Sequence, residues 1–239
     1  MPRRTKTQAL GQHFLADRRV LARIVDASAI GKGETVCEAG TGSGILTEEL
    51  CRHAKKVVSY EVDRELYIHA KAKLASSNLE FVNADLFKRD EQLFDVFVSN
   101  LPYSKSRDAF EWLAARKFDR AIVMVQKEFA EKLLAKPGDS NYRAISAIAS
   151  YCFHLEKLFD VGKECFNPPP LVESTVIRAT LKHSITRETV KNINRLFSQR
   201  NKRASTVAAK LGIQMDFGDR RVDQLVPAQI IALASGMIA

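Results

Sequence analysis

The sequence predicts an α/β fold, a doubly wound and mostly parallel sheet, with a small helical domain at its C-terminal end. Three observations predict it. Strand-like and helix-like patterns alternate from about residue 20 to residue 181, and repeated strand–helix units build parallel sheets. The stretch Arg120 to Gln126 is continuously apolar, as expected for a strand covered on both faces. From Ser184 onward the pattern is only helical.

Taken in order, Val20 to Ala29 shows apolar helical periodicity, and Thr35 to Ala39 is a short apolar strand that runs into a glycine loop. Ile45 to His53 reads as a helix and Lys56 to Glu61 as the next strand. Asp63 to Ser76 reads as a helix with Asp63 as N-cap, because its short carboxylate can accept the first free backbone N–H groups. Leu79 to Asn83 and Phe94 to Ser99 have the β-branched and aromatic content of strands. Arg107 to Arg116, Glu128 to Ala135 and Tyr142 to Tyr151 are helical, the last two flanking a turn at Pro137, Gly138 and Asp139.

Leu155 to Val161 and Thr175 to Leu181 read as two final strands with no helix between them, so an antiparallel edge is expected. Phe166-Asn-Pro-Pro-Pro170 separates them and is expected to be irregular, since prolines cannot donate to a ladder. In the tail, Val190, Ile193 and Phe197 share a face opposite Lys191 and Arg195. Gly212 is placed to end a second short helix and Pro227 to start the last one. The expected domains are residues 1–182 and 183–239.

The chain has 239 residues, of which 46% are hydrophobic and 27% charged, which fits one large domain with a small appendage. No apolar run approaches the roughly 20 residues that span a bilayer. The first ten residues are basic and lack the apolar segment of a secretory signal. A soluble, cytoplasmic protein without membrane attachment is therefore the expectation, with a monomer as the default. The net charge of +9 points to a polyanionic partner. Its distribution strengthens that reading. Residues 182–239 hold ten basic and four acidic side chains, a net of +6, which leaves +3 for the other 181. Such concentration suits phosphate neutralisation. Arg200, Lys202 and Arg203 are the candidate nucleic-acid-binding residues within it. The 4 cysteines form no C-x-x-C pair and have no histidine at ligand spacing, so no metal site is expected.

The chemistry concentrates after the strands. Glu38-Ala-Gly40-Thr-Gly42-Ser-Gly44 follows a strand and opens a helix, where glycine lets backbone approach a ligand closely. The dinucleotide fingerprint fails in register, because position 45 is Ile45, and no Lys-Ser/Thr pair follows to make a P-loop. Glu61 closes the next strand, where an acidic residue can accept hydrogen bonds from both ribose hydroxyls. Asp85, just past the strand after that, can accept from an adenine amine. In this order the three outline a cofactor that contains adenosine without phosphates, and S-adenosylmethionine (SAM) fits that outline.

Asn100-Leu101-Pro102-Tyr103 follows the fourth strand directly. As a bare tetrapeptide it would be a plain turn. Beside an adenosine cofactor it suits methylation of adenine's exocyclic amine, whose lone pair is delocalised into the ring. The Asn100 side-chain carbonyl and the Leu101 backbone carbonyl can accept the two amine protons and draw that lone pair toward a methyl donor. Pro102 fixes the turn, and Tyr103 can stack on an extruded base.

These residues resemble the ribosomal RNA adenine dimethyltransferases, in particular the small-subunit dimethyladenosine transferases. The resemblance covers about residues 8–205. It rests on Gly11-Gln12-His13-Phe-Leu15, Glu38 to Thr47, Glu61-Val-Asp63, Asp85, Asn100 to Tyr103, Gln126-Lys-Glu128, Phe166 to Pro170 with Ser174, and Phe197-Ser-Gln-Arg200. It implies a Rossmann-like, seven-stranded sheet with a small helical C-terminal domain. It implies that Gln12, His13 and Leu15 join Gly40, Gly42, Glu61, Asp85 and Asn100 in binding the cofactor. It also implies that Phe166 and Tyr103 sandwich the target adenine, and that the same amine is methylated twice. The implied partner is ribosomal RNA within an assembling small subunit.

Some positions depart from the family pattern. His13 stands where Asn is usual and Thr41 where Pro is usual. Ser104-Lys-Ser-Arg107, Arg143-Ala-Ile145 and Leu171 also differ, and these three are expected to touch RNA rather than cofactor. Two other readings compete: a related enzyme acting on large-subunit RNA, and a non-catalytic RNA-binding assembly factor. The second would be expected to show a damaged tetrapeptide or glycine loop, and both are intact here.

Overall fold

The structure is a computed structural model that describes residues 13–90 and 93–237. Its central feature is a seven-stranded sheet. The strands are β2 (Thr35–Ala39), β3 (Lys56–Tyr60), β4 (Leu79–Val82), β5 (Val96–Asn100), β6 (Arg120–Gln126), β7 (Phe153–Val161) and β9 (Ser174–Leu181), in the spatial order β4-β3-β2-β5-β6-β9-β7. The first five in that order are parallel, and β9 lies antiparallel to β6. On the far side of β9, Arg178 bonds Glu156 and Thr175 bonds Asp160, so β7 and β9 run in opposite directions. The expected antiparallel edge is present, and β9 is inserted inside it.

Strand order reverses between β2 and β5. After β2 the chain moves outward to β3 and β4, then returns to place β5 on the other flank. Ligands of such sheets bind beyond the carboxyl ends of the strands at this point.

The helices of this half are α1 (Arg18–Ser28), α2 (Ile45–His53) and α3 (Arg64–Lys73), which pack against β6, β3 and β4 respectively. Two start on the signals that carboxylate N-caps provide. Asp17 accepts from the N–H groups of Arg19 and Val20, and Asp63 from those of Glu65 and Leu66. Leu21, Ile24, Val36, Leu50, Val57, Val96, Val98, Ile122 and Met124 belong to one buried cluster. Each such side chain contributes roughly 1.5–3 kcal/mol on leaving water.

The C-terminal end of α1 is clamped by Arg120. Its guanidinium donates to the carbonyls of Ser28 and Ala29 and makes a two-pronged ion pair with Glu34 at 2.9 and 2.8 Å. That guanidinium holds the Glu34 carboxyl below its ordinary pKa. Ala29 itself is left-handed, at φ 47 and ψ 45, and exposed. An alanine Cβ is strained there, whereas glycine is not. Ala29→Gly is expected to raise unfolding free energy by about 0.5–1 kcal/mol, read as a higher Tm. A lower Tm would mean that chain entropy outweighs the relief of strain.

Phe166 and Asn167 were expected to be irregular. They form instead a two-residue strand, β8 (Phe166–Asn167), antiparallel to β1 (Phe14–Leu15). The prolines lie just beyond this ladder, so the missing N–H groups cost it nothing.

The chain forms two compact units. One is drawn from Met1–Ser106, Lys117–Lys127 and Glu156–Thr180, the other from Arg107–Arg116, Glu128–Leu155 and Leu181–Ala239. The second unit takes in two segments that the sequence reading had placed with residues 1–182. It contains all but the first residue of α4 (Ser106–Ala114) and of α5 (Lys127–Leu134), and the whole of α6 (Ala144–Cys152), α7 (Arg187–Phe197), α8 (Ala204–Lys210) and α9 (Pro227–Ser235). Helices α6, α7 and α9 pack on one another. Asn192, buried on α7, donates to the Ala234 carbonyl at 3.1 Å and so ties down the end of α9. Gly212 follows α8 at φ +70, and Pro227 is the first residue of α9, as expected.

Candidate functional site

At the carboxyl ends of β2, β3, β4 and β5 the first unit opens into a cleft of about 1040 Å³, counting the space open to solvent at its mouth. His13, Leu15, Gly40, Gly42, Glu61 and Asp85 line it, together with Asn100, Leu101, Pro102 and Tyr103. Of the expected cofactor residues, only Gln12 lies outside the described residues.

The glycine loop is held from behind. The N–H groups of Gly40 and Thr41 donate to the Tyr60 carbonyl, and the Gly42 N–H donates to Glu61 Oε2 at 3.0 Å. Gly40 has φ +84, and a Cβ there would sit 3.9 Å from both the Asn100 carbonyl oxygen and Pro102 Cδ. The bare glycine thus leaves open the gap between the loop and the tetrapeptide. The Ser99 hydroxyl donates to the Ala39 carbonyl, which draws the ends of β5 and β2 together.

Beneath the loop lies a buried polar chain. Thr47 and Ser59 each donate to Glu38 Oε2 at 2.6 Å, and the Thr41 hydroxyl lies 2.6 Å from that of Ser59. Ser59 spends its proton on Glu38, so Thr41 donates to Ser59. Glu38 Oε1 is buried without a hydrogen-bond partner. Burial pushes the Glu38 carboxyl up to about 7, against the lowering effect of the two hydroxyls.

Glu61 is buried, at 4% exposure. Its Oε1 accepts from the Asp63 N–H at 2.9 Å, so each carboxylate oxygen already takes one backbone amide. A carboxylate oxygen can accept more than one bond, which leaves room for hydroxyls. Asp85 begins a short 3-10 turn and accepts from the Phe87 N–H through Oδ1. Its Oδ2 lies 3.5 Å from Lys105 Nζ.

Tyr103 is held on two sides. Its hydroxyl lies 2.8 Å from that of Ser174, and its ring lies 5.7 Å from the His13 ring at an interplanar angle of 31°. Burial raises the phenol pKa, so it stays neutral. His13 in turn donates from Nδ1 to the Pro168 carbonyl at 2.9 Å.

Phe166 is the expected site residue that the structure does not bring to the cleft. It is 4% exposed and packs in the core cluster, while its backbone pairs with Leu15. Its contribution here is to anchor the β1 strand whose residues line the cleft. Of the positions that depart from the family pattern, Ala144 and Ile145 are buried in the second unit, and Lys105 lines the cleft. Leu171 is 94% exposed.

Arg200, Lys202 and Arg203 lie in the second unit, where residues 200–204 run beside residues 220–223. The N–H groups of Ala204, Val222 and Asp223 bond the carbonyls of Arg220, Lys202 and Arg200. This pairing sets Arg220 and Arg221 beside the expected trio. Arg203 pairs with the exposed Asp219 and Arg221 with Asp223.

Residues 3–224 match the family model described as ribosomal RNA adenine dimethylase. The chain belongs to that family. A ribosomal RNA small subunit methyltransferase A from Thermotoga petrophila is 41% identical over 170 residues, which are 70% of this chain and 65% of that protein. The chain thus spans less than two thirds of that relative's length. A probable small subunit methyltransferase A from Pyrococcus abyssi is 32% identical over 236 residues, 92% of this chain and 88% of its own. A dimethyladenosine transferase from Plasmodium falciparum superposes with a TM-score of 0.75 at 26% identity, covering 92% of this chain and 96% of its own. The 23S rRNA methyltransferase ErmE gives 0.66 at 25% identity, covering 94% and 99%.

Within this dimethylase fold, sequence reasoning missed the place of Lys105 in the cleft, and it missed Ser99, Ser59 and the arginines 220 and 221. Ser59 and Ser99 look like ordinary strand serines, because their partners are 18 to 60 residues away. Arg220 and Arg221 did carry a signal, as a basic pair within the charged tail.

Proposed function

We propose that this chain transfers methyl groups from SAM to the exocyclic amine of adenine in small-subunit ribosomal RNA, twice on the same amine, during subunit assembly. The observation that carries this reading is the single cleft that joins the glycine loop, Glu61 and Asp85 to the Asn100–Tyr103 tetrapeptide.

The residues fit SAM. Glu61 offers buried carboxylate lone pairs to a ribose, and Asp85 offers Oδ2 to an adenine amine. The bare Gly40 leaves space that a Cβ would fill, between the loop and the tetrapeptide. When bound, SAM supplies a methyl group on an electron-poor sulfonium. The chain's own residues prepare the nucleophile. Asn100 Oδ1 and the Leu101 carbonyl accept the two amine protons and turn the nitrogen lone pair toward the methyl group. Tyr103, held against Ser174 and His13, stacks on the extruded base. No strong base is needed, because the amine becomes acidic once methylated and releases its proton to solvent. Rate then comes mainly from alignment.

Arg200, Lys202 and Arg203, with Arg220 and Arg221 beside them, are the proposed phosphate contacts. Replacing the first three together is expected to weaken RNA binding and to flatten its salt dependence. The log–log slope should fall by about 0.7–0.9 per lost contact. An unchanged slope would remove this stretch from the interface.

The reading as a whole is tested with labelled SAM, immature small subunits and large-subunit RNA, with products identified by nucleoside mass spectrometry. Dimethyladenosine in the small-subunit sample alone is expected. Label only in large-subunit RNA would transfer the proposal to that substrate. No label in either, with SAM bound, would leave an assembly factor.

A further inference from the structure

Lys105 sits in the short turn that follows the tetrapeptide, and its backbone N–H donates to the Pro102 carbonyl at 2.8 Å. The same turn therefore sets both Tyr103 and Lys105. The Lys105 ammonium lines the cleft and lies 3.5 Å from Asp85 Oδ2. The other oxygen of Asp85 is already occupied, since Oδ1 accepts the Phe87 N–H at 3.1 Å. Oδ2 is thus the acceptor best placed for an incoming donor, and a cation of the chain itself stands on it.

We propose that Lys105 is a tethered competitor for the adenine-amine acceptor of the cofactor site. This rests on the reading of Asp85 as that acceptor. An amine-bearing nucleoside must displace the ammonium from Oδ2 or share the oxygen with it. The pair is easily given up. Its separation is long, and the two side chains are 38% and 20% exposed, so it is a weak ion pair in high dielectric. The displacement loosens SAM and its demethylated product alike, because both carry the same adenosine. That matters for an enzyme that methylates one amine twice. Spent product must leave and fresh cofactor enter between the two transfers, and product release often limits turnover. Lys105 lowers affinity for the nucleoside and so speeds this exchange.

The test uses the full chain without RNA and two probes: S-adenosylhomocysteine, and its analogue with hydrogen in place of the 6-amino group. Calorimetry gives Kd for each. Lys105→Met is expected to bind S-adenosylhomocysteine about two- to fivefold more tightly than wild type, the range that exposed ion pairs are worth. Its affinity for the deaminated analogue should stay at the wild-type value, because that ligand leaves the Lys105–Asp85 pair in place. Lys105→Arg keeps the cation and should bind both probes as wild type does. The gain in Lys105→Met should also shrink at high salt, where the competing pair is screened. Unchanged or weaker binding of S-adenosylhomocysteine, or equal tightening of both probes, would overturn the inference. Asp85→Asn tests the underlying reading separately. If it leaves the ratio of the two affinities unchanged, Asp85 is not the amine acceptor. If it collapses the ratio while Lys105→Met changes nothing, only the role of Lys105 falls.

Discussion

Asn100→Ala lowers methyl transfer by about 10²–10³-fold, the usual cost of deleting one preorganised polar group at a reacting centre, while RNA binding stays close to wild type. The expectation follows from the geometry. Asn100 is the last residue of β5, its neighbour Ser99 is bonded to the end of β2, and the bare Gly40 faces its carbonyl. The side chain is thus presented by rigid strand rather than by loop. Alanine removes only the side-chain acceptor. The Leu101 carbonyl remains, so the amine keeps one of its two partners and some transfer survives. Single-turnover transfer with RNA saturating separates this effect from binding, and cofactor Kd is measured in parallel. Transfer within a few-fold of wild type would mean that Asn100 does not activate the amine.

Glu61→Ala is expected to have the second large effect, on cofactor affinity. Two hydrogen bonds from ribose hydroxyls to a carboxylate contribute about 1.5–3 kcal/mol each. Their loss corresponds to roughly 10²–10⁴ in Kd. The true effect should lie toward the upper end, because Glu61 has a second task. Its oxygens accept the N–H groups of Gly42 and Asp63, and alanine would leave both amides without that acceptor beside the ligand. Glu61→Gln keeps an oxygen for one amide but loses the charge, and should fall between. Calorimetry with S-adenosylhomocysteine reads these differences, with thermal unfolding as a control for folding. A change below tenfold in Glu61→Ala would mean that the ribose is held elsewhere.

Much of the sheet could be read from the chain because its signals are local. β2 and β6 span the residues expected for them, and Asp63 caps α3, since a strand between glycine loop and helix, or a carboxylate before a helix, announces itself within a few residues. The glycine loop, Glu61, Asp85 and the tetrapeptide could be read for the same reason: each stands just past a strand. What escaped depends on partners far away in sequence. The Lys105–Asp85 pair links positions 20 apart, and the stretch that holds Lys105 read as an RNA contact. The β1–β8 pairing joins residues about 150 apart and puts Phe166 in the core cluster. The segments Arg107–Arg116 and Glu128–Leu155 alternate with strands as a doubly wound chain should. No local pattern shows that they cluster with the C-terminal helices.

The place of β9 has a consequence for how the protein is made. A nascent chain can lay β2 to β6 side by side as each strand emerges, because each finds its neighbour already present. β7 emerges next and has nothing to pair with, since the strand that joins it to β6 has not yet been synthesised. Until residues 174–181 leave the ribosome, β6 and β7 both carry an unpaired edge, the kind of surface that recruits foreign strands. The sheet is therefore completed by a late insertion rather than by growth at its rim, and a chain interrupted shortly before Ser174 would expose the edge of β6 that β9 covers in the finished sheet.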